Sequence, residues 1–364
     1  MGSISLSEDA SASATANIPI IDLSPFTSPS PSSDTSASSS ARLKASQDLV
    51  RALRDVGFAY IKNHGVPQDE LDAAFALSKR FFDLPLEQKM KAPHPPGWSV
   101  HRGYSWPGLE KVSSAMATGD GGGDEDEVRR LREVKDFKES YEVGSETNPD
   151  QPNVWPPADV LPEWRPFMSE FYWTCFGAAK HMLRALALGI GFPADDEDHL
   201  LRFHDGHHNQ LRLLHYPPVD AAAVQEGAVA RMPAHTDWSS MTMLFQDDCG
   251  GLQVEHPAGS GEFVDVPPLP GTCVVNVGDL LMRWSNDFLT STAHRVQLPP
   301  LQRWEDDGAN NGLMMTRPRY SIPYFLTTDP DTVIECLRVD DDHPPKYDPI
   351  TQREYAAMRA RMQY

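Results

Sequence analysis

Residues 234–254 read AHTDWSSMTMLFQDDCGGLQV: a histidine and an aspartate on either side of one threonine, then an apolar, β-prone run ending in a Gly-Gly turn. Alternate residues of an extended chain point to the same side, so His235 and Asp237 on a strand can aim an imidazole nitrogen and a carboxylate at one point. Taken alone, the pair is equally a polar strand end, because exposed His and Asp are ordinary at surfaces. The rest of the chain decides between a turn and two thirds of a metal site.

Outward from this stretch the period of two persists. LRLLHY (211–216), MTMLFQ (241–246), LQVEH (252–256), EFVDV (262–266), TCVVNV (272–277), AHRVQL (293–298) and RYSIPYFL (319–326) are separated by Gly, Pro, Asn and Asp turns. Many short strands at this spacing indicate a sandwich, barrel or jelly roll. The first half has a different rhythm. Leu43, Leu49, Leu53 and Val56 fall on a helical stripe that Gly57 ends, and FAYI (58–61) follows as a strand. DELDAAFALSKRFFDLPLEQKMK (69–91) is a second helical pattern that Pro85 breaks, and PEWRPFMSEFYWTCFGAAKHMLRALALGIG (162–191) is the strongest, with Trp164, Met168, Phe171, Cys175, Ala179, Met182 and Leu186 on one stripe. The expected architecture is mainly β with flanking helices, the helical first half packed around a β core in the second. A short helix is expected at ITQREYAAMRARM (350–362).

The segments divide into a disordered N-terminus (1–16), an N-terminal helix and strand region (17–150), a long helix with its connection (151–204), a site-bearing core (205–328) and a C-terminal tail with a helix (329–364). TSPSPSSDTSASSS (27–40) and the Gly- and acid-rich residues 113–127 have too little apolar content to order themselves. Lys and Arg number 32 against 52 Asp and Glu, a formal charge of −20, with no basic patch. That excludes nucleic acid and anionic membranes as partners and leaves a small molecule. The apolar stretch LRALALGIGF (183–192) is far too short to span a bilayer, and the N-terminus lacks the basic start and apolar core of a secretory signal. Cysteines 175, 249, 273 and 336 form no CxxC pair and sit in apolar surroundings, as reduced thiols do in the cytoplasm. The oligomeric state is not legible in the sequence, and a monomer is compatible with it.

The HxD pair gains weight from His294 on a distant β-prone run. Two histidines and one carboxylate on one face of an octahedral ion leave three positions open, the set used by non-haem iron(II) oxygenases, whereas a closed structural zinc site takes four protein ligands. Arg319 and Ser321 then stand two apart on a further strand, where a guanidinium fork beside a hydroxyl matches a carboxylate. Other residues have quieter readings. His204, His207, His208 and His215 lie in a run without HExxH and are read as packing or loop residues; His64 in NHG is structural, and Asp279 after Gly278 is a turn residue.

In order, HTD (235–237), HRV (294–296) and RYS (319–321) resemble the iron(II)/2-oxoglutarate-dependent dioxygenases of the isopenicillin N synthase-like family. IPIIDLSPF (18–26), GFAYIKNHGV (57–66), HRGYSWPGLEK (101–111), FKESYEVG (137–144), LRLLHYPP (211–218), NVGDLLMRWSND (276–287) and YDPITQREYAAMR (347–359) extend the likeness. The resemblance implies a distorted jelly roll, the double-stranded β-helix, with iron(II) at one mouth. It makes His235, Asp237 and His294 the ligands, Arg319 and Ser321 the grip on the distal carboxylate of 2-oxoglutarate, and Tyr216 a further donor to it. It also implies O2 as co-substrate, succinate and carbon dioxide as products, and hydroxylation as the default outcome, with desaturation or ring chemistry as variants. One departure is Leu214, where plant members often carry an asparagine. Two other readings stand beside this one: an oxidase of the same fold that dispenses with 2-oxoglutarate, and a metal or ligand binder without catalysis. Trp238 and Phe325 are expected at the pocket edge, with residues 94–127 over it.

Overall fold

The computed structural model describes residues 18–28, 36–97, 100–109, 135–136, 138–191, 196–220, 229–298, 302–303, 314–337 and 342–363. The stretches expected to be disordered at 1–16 and 113–127 lie outside the described residues.

Alternation sorts the side chains of the strands. The principal strands are β1 (Ile20–Asp22), β2 (Phe58–Lys62), β3 (Gly103–Ser105), β4 (Glu139–Val143), β5 (Gln210–Tyr216), β6 (Met232–His235), β7 (Met241–Gln246), β8 (Leu252–Glu255), β9 (Phe263–Asp265), β10 (Thr272–Val277), β11 (His294–Val296) and β12 (Arg319–Leu326). Eight form one sheet in the order β1-β2-β10-β7-β12-β5-β4-β3, and four form a second in the order β9-β8-β11-β6. Leu211, Leu213, Met243, Phe245, Ile322 and Tyr324 face the helices, while Leu214, Tyr216, Leu244 and Val274 face the small sheet and meet its Leu252, Val254 and Val296. Two sheets packed face to face with one helix-covered side are the distorted jelly roll the resemblance implies.

The α-helices among the described residues are α1 (Ser24–Thr27), α2 (Ser36–Asp55), α3 (Gln68–Phe82), α4 (Leu86–Lys89), α5 (Trp164–Ile190), α6 (Asp279–Trp284) and α7 (Gln352–Gln363). All seven residues of the α5 stripe are at most 1% exposed, so that stripe is core packing. Two expectations for α2 need correction. Leu43 is exposed, because it sits six residues before Leu49, about 240° round the helix from it at about 100° per residue; Ala45, Leu49, Ala52 and Leu53 make the buried stripe. The Ser- and Ala-rich residues 36–40, expected to stay unordered, instead extend α2, since a docked stripe lets a helix propagate at little cost.

A third correction concerns the halves of the chain. Four of the eight strands of the large sheet, β1 to β4, come from the first 143 residues, so the N-terminal part builds the β core as well as its helical cover. HRGYS falls largely within β3 and FKESYEVG within β4.

Candidate metal centre

The strand β6 ends at His235, and Asp237 lies in the turn after it, so the two share a side by way of that turn and not by strand alternation as expected. His294 opens β11, whose antiparallel pairing with β6 places it opposite His235. The two imidazole Nε2 atoms each lie 3.9 Å from Asp237 Oδ1, and the three ligand atoms are all within 4.8 Å of one another. Among the described residues this is the one cluster of three or more His, Cys, Asp or Glu side chains placed to share an ion.

Hydrogen bonds reserve these atoms. Carbonyl oxygens only accept, so His235 Nδ1 donates to Pro233 O at 2.9 Å and His294 Nδ1 to Thr292 O at 3.3 Å, leaving both Nε2 lone pairs directed at the centre. Thr242 Oγ1 at 2.6 Å and Asn276 Nδ2 at 2.8 Å donate to Asp237 Oδ2, which leaves Oδ1 for the ion. Burial, reinforced by His294, pushes the His235 imidazole down to about 4. Burial acts to raise the Asp237 carboxyl, but His294, His235, Thr242 and Asn276 together outweigh it and hold the group below its ordinary value. A neutral imidazole beside an ionised carboxylate is what a divalent ion requires of its ligands. The two-nitrogen, one-oxygen set on one side fits iron(II) with open positions.

The candidate anion-binding residues lie on the large sheet. Arg319 and Ser321 share the inward face of β12, with Arg319 opposite Tyr216 and Ser321 opposite Leu214 on β5. All four are buried. Arg319 donates from Nε to Gly250 O at 3.0 Å, from Nη1 to Ser321 Oγ at 2.9 Å and from Nη2 to Gln246 Oε1 at 3.3 Å. Those bonds fix the guanidinium plane, with its Cζ 5.2 Å from the Tyr216 ring centroid. Leu214, the departure noted in the sequence, packs into the apolar core between the sheets.

Three features escaped the sequence reading. Arg231, four residues before His235, is 1% exposed, bonds to Arg317 O and places its Cζ 5.5 Å from the same Tyr216 ring centroid; burial lowers its pKa. The inward face of β4 and β5 carries Ser140, Glu142 and Arg212, with Lys138 just before β4. Arg212 pairs with Glu142 at 2.9 Å and donates to Ser140 Oγ at 3.0 Å, and the Lys138 charge reaches His235. Asp279, read as a turn residue, is buried at the start of α6 and accepts from Thr236 Oγ1 and Ser291 Oγ. The quieter readings agree with the structure: His204 is buried between Leu200 O and Ser240 Oγ, and His64 packs edge-on to Phe245.

A two-sheet β sandwich with two histidines and one aspartate at its mouth defines the class of non-haem iron oxygenases. Residues 18–158 match the N-terminal family described as non-haem dioxygenase in morphine synthesis, and residues 207–328 match the 2OG-Fe(II) oxygenase superfamily. Similar proteins include the 2-oxoglutarate-Fe(II) type oxidoreductase ppzD of Metarhizium rileyi, 36% identical over 312 residues that cover 85% of this chain and 83% of the relative. The proline hydroxylase buaE of Petromyces alliaceus is 38% identical over 292 residues, covering 80% and 83%. Among solved structures, a full-length Neurospora crassa protein in complex with alpha-KG and thymine superposes with a TM-score of 0.77 at 35% identity, covering 95% of this chain and 97% of that one. The chain belongs to the 2OG-Fe(II) oxygenase superfamily. It is a 2-oxoglutarate-dependent dioxygenase that uses iron(II) and O2 and acts on small molecules. Among the described residues, no helix is long and apolar enough to cross a membrane.

Proposed function

We propose that His235, Asp237 and His294 hold the iron, that Arg319 and Ser321 with Tyr216 seat the distal carboxylate of 2-oxoglutarate, and that the enzyme hydroxylates a small polar molecule bearing a carboxylate. The observation that carries the first two assignments is that the three clustered ligand atoms and the Arg319–Ser321 pair belong to facing sheets, His294 beside Val254 and Arg319 beside Tyr216, whose side chains share the core between the sheets. Iron bound there supplies the activation of O2 that oxidises both 2-oxoglutarate and substrate. The chain does the rest. Arg319, anchored by three bonds, turns its remaining donors to an anion; Ser321 Oγ, already accepting from Arg319, has its own proton to give. The apolar core around Leu214, Val254 and Val296 excludes water behind the co-substrate.

The substrate class follows from the wall beside the metal. Thr242, which bonds Asp237, is opposite Phe325, and Phe325 is opposite Gln210, two residues before Arg212 on the same face of β5. Arg212 therefore stands two strands from β7, roughly 10 Å at ordinary strand spacing, within the length of a small molecule. Glu142 and Ser140 hold its guanidinium. A guanidinium fixed in this way matches the geometry of a substrate carboxylate. That buaE is a proline hydroxylase, with fungal relatives around it, is consistent with a carboxylated precursor in secondary metabolism. A net charge of −20 without a basic patch supports a partner other than nucleic acid, and four free cysteines support a reducing compartment such as the cytoplasm.

Mixing the protein with iron(II) and 2-oxoglutarate under nitrogen should give a visible charge-transfer band, absent in Asp237→Ala. Succinate release is then measured across small molecules with and without a carboxylate, with stimulation expected only from carboxylated compounds and lost in Arg212→Ala. No band in the parent would sink the site assignment. Stimulation by uncharged compounds alone would sink the substrate class.

A further inference from the structure

One carboxylate gathers three separate parts of the chain around the metal mouth. Asp279 Oδ2 accepts from Thr236 Oγ1 at 3.0 Å, the spacer between His235 and Asp237, and pairs with Arg359 Nη2 of α7 at 2.7 Å. Its Oδ1 accepts from Ser291 Oγ at 2.6 Å, three residues before His294. Its backbone N–H donates to Asp237 O at 2.7 Å. Both loops that deliver metal ligands, and the C-terminal helix, thus end on one buried side chain. α7 is docked by buried Tyr355 and by Met358 against the helix-side core, which brings Arg359 over the indole of Trp238 with its Cζ 5.5 Å from the ring centroid. A buried carboxylate needs such partners, since breaking a buried ion pair leaves an uncompensated charge that is strongly destabilising.

We infer that Asp279 and Arg359 are positioning residues that couple docking of α7 to the geometry of the metal centre, so that the C-terminal helix closes over Trp238 when the iron site is formed. The inference rests on the metal assignment made above. Coupling between two sites is reciprocal: if a docked α7 tightens iron binding by some factor, bound iron must favour the docked helix by the same factor. With α7 released, Arg359 leaves Asp279 without its cation, Thr236 and Ser291 lose a fixed acceptor, and the two ligand loops can move apart. Support of this outer kind is worth about 10- to 100-fold in metal affinity where it is direct. The path here runs through one further residue, so the low end applies.

The test needs no substrate. Hydrogen exchange of the full chain is followed with and without iron(II) plus 2-oxoglutarate under nitrogen, and iron(II) affinity is titrated in parallel. In the parent, loading should slow exchange in the peptides covering 352–359 and 236–242. Arg359→Gln should abolish the metal-dependent protection of α7 and weaken iron(II) by roughly threefold to tenfold, while Arg359→Lys keeps most of both. Asp279→Asn should weaken iron(II) at least as much; should it fail to fold, the Arg359 pair still decides the matter. A parent that shows the charge-transfer band, together with an Arg359→Gln variant unchanged in affinity and in α7 exchange, overturns the coupling alone. A parent that binds no iron overturns the metal assignment and the coupling with it.

Discussion

On the metal assignment proposed above, Asp237 divides its oxygens between protein and metal, and the partners that fix this division can be tested one at a time. Thr242 and Asn276 both donate to Oδ2, so Oδ1 is the atom presented beside the two Nε2 nitrogens. Replacing Thr242 by the similarly shaped valine removes one donor and lets the carboxylate rotate. Iron(II) affinity should fall about tenfold, as for other partners that orient a ligand, with the midpoint of thermal unfolding little changed. A titration of the charge-transfer band at fixed 2-oxoglutarate measures this, and an unchanged affinity would show that Asn276 alone suffices. That His235, Asp237 and His294 come together, and that Arg319 lies beside Ser321, could be expected from the sequence because residue type and order are legible there. Asp279 could not, because its partners Thr236 and Arg359 meet it only through the fold, and Gly-Asp before an apolar run reads as a turn.

At the level of elements, the end of α2 is joined to the loop that carries His294. Thr290 N donates to Leu53 O, Thr290 Oγ1 to Arg54 O, and Thr292 Oγ1 to Val56 O, so carbonyls that a helix end leaves open are capped by this loop. Gly57 permits the junction: its φ is +79°, and a Cβ there would lie 2.2 Å from Thr292 Oγ1 and 2.5 Å from Thr290 O. Gly57→Ala should therefore destabilise the protein by about 1–3 kcal/mol from backbone strain alone and also weaken metal binding by displacing Thr292, whose carbonyl holds His294. Urea unfolding with a parallel iron titration checks both; loss of stability with unchanged metal affinity would separate the helix cap from the site. Gly57 was readable as a helix stop, and the strands from 210 onward were readable from alternation. β4 was not, because Ser140 and Glu142 on one face and Glu139 beside Tyr141 and Val143 on the other break the apolar alternation. Glu139 faces the helices and is satisfied there by Lys89, Tyr104 and His215, while Ser140 and Glu142 face inward and meet Arg212. Partners that distant in sequence leave no periodic trace.

For the whole molecule, the formal charge of −20 is silent about the interior, where Arg319 and Arg231 both lie beside the Tyr216 ring and Arg212 pairs with Glu142. Interior titration has its own consequence for stability. His204, in the connection after α5, is fully enclosed: it donates from Nδ1 to Leu200 O at 2.8 Å and accepts at Nε2 from Ser240 Oγ at 3.1 Å. Ser240 in turn ties the entrance of β7 to the end of β12 and the start of α6, through Leu326 O and Gly278 N. Burial pushes the His204 imidazole down from 6.5 to about 4. A depressed folded-state value means that, between the two pH values, the unfolded chain takes up a proton that the folded chain refuses. The contribution is therefore intact above about 6.5 and is lost as pH falls toward and through about 4, by at most about 3 kcal/mol. Glutamine at 204 can donate and accept at similar positions without titrating. Urea unfolding at a series of pH values should give His204→Gln a flatter stability profile than the parent between about pH 6.5 and 4, with the difference growing as pH falls. Other buried groups titrate equally in both chains and cancel in that difference. Parallel profiles would mean that His204 keeps its proton in the folded chain, and that the link between α5 and the strands behind the metal does not depend on a neutral imidazole.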